Sequence, residues 1–230
     1  VESKQAPGLE GEGPVAAPFA AATQNLTANR ARLDIITDHA RMGIDAFTLY
    51  SGGAAGAESE FGRLAEQHGL AEVNFTFDGH EVVRSRGLHA LTPEELAAGD
   101  AALVAIARHI HRQLPDNEQS RRLLLSIWHQ VHHGEAVFVV GRIQGDGTVT
   151  GGTGWGAEYA KQCNKPLYVF DQARDAWYRW RNRDWEPEAT PAVVSNRFTG
   201  TGTRFLEPNG RAAIAGLFAR SFRARTGDGS

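Results

Sequence analysis

The sequence predicts an α/β protein built on an open, mostly parallel sheet with helices on both faces. Short apolar runs at residues 46–50, 72–77, 136–140 and 166–171 alternate with stretches of helical periodicity. Two of the runs, 46–50 and 136–140, lead into glycine-rich segments, 52–56 and 145–156, each followed by a helical pattern. The second run follows the first helical pattern after only a few residues, as in a βαβ unit, where a crossover helix returns the chain to a parallel neighbour.

Taken in order, residues 1–28 carry Pro7, Gly8, Gly11, Gly13, Pro14 and an alanine-rich stretch without apolar periodicity, which predicts a flexible tail. A single domain is expected over 29–230, a length sufficient to bury a sizeable core. Leu33, Ile35, Ile36 and Ala40 fall at helical spacing before Gly43 and predict a helix over 29–42. Ala46 to Tyr50 predict the first strand, and Phe61, Leu64 and Ala65 a helix up to Gly69. Thr92, Pro93 and Glu95 form a capping-box start for a long helix to about Gln113. Asp116 or Asn117 begins another, ending near His133 and Gly134. The uninterrupted apolar run 136–140 predicts a central strand buried on both faces. Strands are then expected at 166–171, 176–180 (an edge) and 192–195, with a closing helix over 209–222.

Composition narrows the function classes. With 24 Lys and Arg against 27 Asp and Glu the net charge is −3, which argues against nucleic acid or an anionic membrane as a partner. No apolar run reaches the length of a bilayer span, and no basic-then-apolar leader opens the chain. The single cysteine, Cys163, has no intramolecular partner, which points to a reducing, cytoplasmic compartment. The sequons at Asn25 and Asn74 are chance matches on that reading.

The glycine-rich segments carry the chemistry. Glycine lets backbone N–H groups approach a phosphate closely, and a helix N-terminus behind the turn adds partial positive charge. Ser51, Gly52, Gly53 and Gly56 at the first turn, with Gly151, Gly152, Thr153, Gly154 and Gly156 at the second, are the expected cradle for a phosphate-bearing nucleotide or nucleotide-like ligand. Neither segment is the dinucleotide fingerprint or a Walker loop, which disfavours nicotinamide dehydrogenases and P-loop NTPases. His80 and Arg84, beyond the second strand, fall at the carboxyl edge where such sheets bind ligands. Thr199 to Arg204 form a third glycine–threonine segment, read as a turn with anion-binding capacity. His129, His132 and His133 share helical spacing, but the absence of a zincin glutamate or paired cysteines favours a helix-end cluster, and no metal site is expected. Nothing in the sequence identifies a cofactor.

Tyr50 to Glu58, followed by Gly151 to Gly154 and a lysine–proline strand, resembles the SLOG superfamily of Rossmann-like proteins. That superfamily includes the Lonely Guy phosphoribohydrolases, the DprA-type DNA-binding proteins and a YpsA-related group proposed as molybdenum carriers; the arrangement here is most similar to the YpsA-related group. The resemblance covers about residues 46–171 and implies a Rossmann-like fold, a nucleotide-related ligand at the two turns, a role as sensor or carrier, and a homodimer. Its alternative implication is an N-glycosidic hydrolase acting on a nucleoside monophosphate. Glu58 or Glu158 would then be the catalytic carboxylate, with Arg63 or Arg84 holding the phosphate. Thr150 stands where the phosphoribohydrolase motif has proline, and the following Gly–Thr spacing is contracted.

Overall fold

The computed structural model describes residues 43–222 together with Ile35; the tail 1–28 and, Ile35 apart, the helix expected over 29–42 lie outside the described residues. A 3-10 turn, Ile44–Ala46, leads into β1 (Thr48–Ser51), α1 (Ala57–His68), β2 (Ala71–Thr76) and β3 (Leu88–Ala90). Three helices follow, α2 (Pro93–Ala98), α3 (Asp100–His109) and α4 (Glu118–His133). The chain continues through β4 (Ala136–Gly141), α5 (Gly151–Gln162), β5 (Leu167–Asp171), β6 (Ala176–Arg181), β7 (Asp184–Pro187), β8 (Arg197–Gly202) and α6 (Pro208–Ser221).

The strands form one 8-stranded sheet in the order β3-β2-β1-β8-β4-β5-β6-β7. It is parallel from β3 through β5 and antiparallel at β5–β6 and β6–β7. Helices cover both faces, as an α/β sheet with apolar residues on either side requires. On one face α1 and α6 bury Phe61, Leu64, Ile214 and Phe218 against Leu49, Phe138 and Phe198. On the other, α2 to α5 bury Leu96, Leu103, Ile106, Ile127, Val131 and Trp155 against Phe75, Val137, Val139 and Val169. Each fully buried side chain of this size contributes roughly 1.5–3 kcal/mol relative to exposure.

Several elements depart from the sequence expectation. The long helix expected from Thr92 is two helices broken at Gly99; a Cβ there would lie 3.0 Å from Leu125 and from Trp128 of α4, so the break coincides with a close helix contact. The short strand β3 and the edge strand β7 carry no run long enough to announce them. The strand expected at 192–195 is not one: Val193 is buried but its N–H donates to Ser221 Oγ of α6 at 2.8 Å rather than to the sheet.

The true last strand is β8, the segment read from the sequence as a glycine–threonine turn, and it lies at the centre of the sheet between β1 and β4. Its polarity is tolerated because Thr199 Oγ donates to the Gln130 carbonyl at 2.6 Å and Thr201 Oγ to Glu58 at 2.9 Å. Gly200, facing the other way by the period-two rule, leaves the space that Phe61 fills: a Cβ there would sit 2.5 Å from that ring.

At the far edge, Lys161 of α5 ties the β6–β7 hairpin to the helix layer. Its ammonium lies 3.9 Å from the Trp180 ring centroid and 5.0 Å from that of Trp185, and donates to Glu158 at 2.8 Å and to the Gly147 carbonyl at 2.9 Å. Among the described residues no helix is long and apolar enough to cross a membrane.

Candidate functional site

From β1 the chain passes through α1 to β2 on one side of the sheet centre; from β4 it passes through α5 to β5 on the other. The reversal, with β8 filling the gap, makes the carboxyl ends of β1, β8 and β4 the switch point where ligands of open α/β sheets bind.

Residues 52–56 form a turn at that edge. Gly53 and Gly56 have φ of 69° and 93°, in the left-handed half of the map that glycine alone enters freely. A Cβ on Gly56 would stand 2.5 Å from the Arg204 Cα and from the Thr203 carbonyl oxygen, so the segment after β8 packs directly on the start of α1. The Ala57 N–H donates to that Thr203 carbonyl at 3.0 Å, and the Ala54 N–H to Glu58 Oε2 at 3.1 Å. Among the described residues the N–H groups of Gly53, Ala55 and Gly56 donate to no protein acceptor. No side chain caps α1.

Beneath the turn, Glu58 is buried in a polar network. Its Oε1 accepts from Thr201 Oγ at 2.9 Å. The Gln130 amide, oriented as its neighbours require, donates to Glu58 Oε1 at 3.3 Å and to Thr201 Oγ at 3.1 Å while accepting from the Gly52 N–H at 3.3 Å. Burial pushes the Glu58 carboxyl above its ordinary value, and the donors from Ala54, Thr201, Gln130 and Gly52 offset part of that rise. Asn74, fully buried on β2, donates its amide to Glu72 at 2.6 Å and to the Arg86 carbonyl at 2.9 Å, which fixes its orientation. Its Oδ1 has no hydrogen-bond partner and faces Gly53, where a Cβ would lie 3.4 Å away.

The second glycine run corrects the sequence expectation. Residues 151–156 are not the turn but the first turns of α5 itself, and the connection from β4 is a small hairpin over 142–150 closed by the Ile143–Val149 bridge. Gly154 and Gly156 serve packing: a Cβ would meet the Val149 carbonyl at 2.0 Å in the first case and Ile127 of α4 at 2.8 Å in the second. Gly152 rests near Ile127 and Leu124 of α4, whereas Gly151, with φ of 70°, borders open space. Thr150 precedes the helix without capping it by its side chain, so the N–H groups around Gly151, Gly152 and Thr153 form a second uncapped N-terminus at the same edge.

The other sequence candidates fall in different places. Ser51 Oγ donates to the Gly200 carbonyl at 2.7 Å and binds β1 to β8. Arg84 is forked on Glu72 at 2.6 and 2.8 Å and also reaches Glu66 at 2.9 Å; its guanidinium packs over Gly62 of α1. Its backbone N–H, at 3.3 Å, joins that of Val83, at 2.9 Å, in holding the Gly53 carbonyl, so Arg84 supports the turn from outside. Arg63 pairs with Glu60 at 2.7 Å. His80 stacks on Phe77 with ring centroids 4.8 Å apart, and burial lowers its pKa. Glu158 is bound to Lys161 and shares no hydrogen-bond partner with Glu58, so the two carboxylates belong to separate networks.

His129, His132 and His133 line the α4 end as sequence spacing indicated, engaging the Glu95 carbonyl, Tyr159 Oη and the His129 carbonyl respectively. Among the described residues no group of three or more His, Cys, Asp or Glu is placed to hold a metal ion. Sequence reasoning missed Asn74 and Gln130, for each of which a polar residue inside a strand or on the apolar face of a helix was the signal available, and it placed Thr201 only within a segment read as an anion-binding turn.

No family model matches the chain, and no curated protein matches it. Among solved structures, one described as "Putative molybdenum carrier protein" from Syntrophus aciditrophicus superposes on 77% of this chain and 96% of its own, at 15% identity and a TM-score of 0.43. A likeness of that size carries no inference about what this chain binds.

Proposed function

We propose that the protein binds a phosphate-bearing nucleotide or nucleotide-derived ligand at the carboxyl edge of β1, β8 and β4, as a sensor or carrier that does not turn it over. One observation supports this above the others. The turn at 53–56 holds unspent N–H groups, and the buried, unpartnered Oδ1 of Asn74 lies beside its Gly53. A buried acceptor such as Asn74 Oδ1 is normally filled, and the N–H groups of the partly exposed turn are open to an anion, so a ligand carrying both phosphate oxygens and hydroxyl groups would engage both. The open N-terminus of α5 at Gly151, Gly152 and Thr153 supplies further N–H groups across β8.

Binding without turnover is favoured over N-glycosidic hydrolysis because Glu58 is enclosed by its own donors and Glu158 is engaged by Lys161. A carboxylate acting at an anomeric carbon needs an oxygen free to reach it. The SLOG resemblance is consistent with this reading, and with it go a cytoplasmic location and a homodimer.

Calorimetric titration with nucleoside mono- and diphosphates, with chromatography of the same samples, tests the proposal. Heat of binding with intact nucleotide is the expected result. Gly53→Ala, which must hold a side chain at positive φ against Asn74, is expected to weaken binding about tenfold or more while the fold survives. Release of free base would establish the hydrolase instead, and silence across the whole series would remove the phosphate reading.

A further inference from the structure

Thr203 and Arg204 follow β8 and lie against the start of α1, where a Cβ on Gly56 would touch the Arg204 backbone, and Phe205 comes next. Phe205 is 70% exposed and is the only aromatic among the large apolar side chains left exposed in the described residues. Its exposure is not that of a loose loop. The Phe205 N–H donates to Thr203 Oγ at 3.1 Å, its carbonyl accepts from Gln172 Nε2 at 3.2 Å, and Gln172 Oε1 in turn accepts from the Glu207 N–H at 2.8 Å. The backbone that carries the ring is thus held on both sides.

Arg204 is exposed beside it, its guanidinium carbon 4.9 Å from the Phe205 ring centroid, and among the described residues it forms no ion pair. By contrast Arg63, Arg84, Arg142 and Arg211 near the same edge are each matched to a carboxylate. An unmatched guanidinium over a solvent-facing ring on a held backbone, next to unspent N–H groups, has the parts needed to engage a phosphate and an aromatic base together.

We propose that Arg204 and Phe205 are the recognition pair of the site, Arg204 engaging the ligand phosphate and Phe205 stacking on its base. The ligand class is then a nucleotide, rather than a sugar phosphate or an inorganic oxyanion. This rests on the phosphate site described above and adds what distinguishes its ligand.

The test uses the full chain and its Phe205→Ala, Phe205→Tyr and Arg204→Gln variants, titrated with AMP, GMP, CMP and UMP and with ribose 5-phosphate. Both side chains are exposed, so melting temperatures should stay near that of the parent. For the best-bound nucleotide, Phe205→Ala is expected to weaken binding by roughly 5- to 150-fold, with ribose 5-phosphate unaffected and Phe205→Tyr restoring affinity. Arg204→Gln is expected to weaken both kinds of ligand by about tenfold or more. The recognition pair is overturned if the parent binds and Phe205→Ala binds nucleotide equally well, if Arg204→Gln is without effect, or if the parent holds ribose 5-phosphate as tightly as any nucleotide. A parent that binds none of these probes overturns the phosphate site itself, and the pair with it.

Discussion

Glu72→Ala is expected to lower the free energy of unfolding by about 3 kcal/mol, and the melting temperature by roughly 6–12 °C. The Glu72 side chain is wholly buried on β2 and accepts from Arg84 Nε at 2.6 Å, from Arg84 Nη2 at 2.8 Å and from Asn74 Nδ2 at 2.6 Å, with Arg86 Nη1 at 3.6 Å. The Arg84 side chain is itself only 12% exposed, so removing the carboxylate strands a mostly buried cation and a buried amide. Breaking a buried pair by deleting one partner costs more than the pair is worth, because the remaining charge must be desolvated alone. Glu66, 60% exposed, remains as a partner for Arg84 and keeps the loss toward the lower end of that range. Chemical denaturation of the parent, Glu72→Ala, Arg84→Ala and the double variant closes the cycle. The double variant is expected to be less damaged than the sum of the singles, and strict additivity would refute the coupling.

The fold was legible in the sequence and the site only partly so, because the two rest on different kinds of neighbour. β4 and β5 announce themselves because a central parallel strand is buried on both faces and reads as an unbroken apolar run, here Ala136 to Val140 and Leu167 to Phe170. The start of α4 was legible in Asn117, whose side chain accepts the Ser120 N–H at 3.0 Å. β8 was not, although it occupies the sheet centre. Its threonines and glycines match a turn in composition, and only the partners brought from elsewhere make them a strand: Gln130 and Glu58 for the hydroxyls, Phe61 for the missing Cβ.

Glycine carries the same ambiguity in the site. Gly53 and Gly56 were expected at a turn and are found there with positive φ, whereas Gly154 and Gly156 look identical in sequence and serve helix packing. What separates them is the neighbour each must accommodate, and the chain does not state its neighbours. Thr201 meets Glu58 across 143 positions, so no local pattern could have joined them.

Glu58→Ala is expected to cost about 2–4 kcal/mol, because the donors of Ala54, Thr201 and Gln130 lose their acceptor in a buried setting. The more discriminating variant is Glu58→Gln, which keeps the shape and removes the ionisation. Burial raises the Glu58 carboxyl above its ordinary 4.5, so ionisation costs more in the folded protein than in the unfolded chain. The stability associated with the protonated carboxyl is therefore fully present below about pH 4.5 and is lost as pH rises through the higher folded value. Parent and Glu58→Gln should accordingly diverge over the pH range above about 4.5, the parent losing stability relative to the variant as pH increases. His80, His129 and His132, whose pKa values burial lowers, are common to both proteins and cancel in the difference. Urea denaturation across that range measures it; a difference that stays flat, or shrinks with rising pH, would mean that Glu58 is ionised in the folded protein without penalty. A phosphate bound over the turn adds negative charge close to the same carboxyl and should raise its pKa further, so nucleotide binding at a pH where that carboxyl is ionised in the free protein is expected to draw in protons, visible as a dependence of the binding heat on the ionisation enthalpy of the buffer.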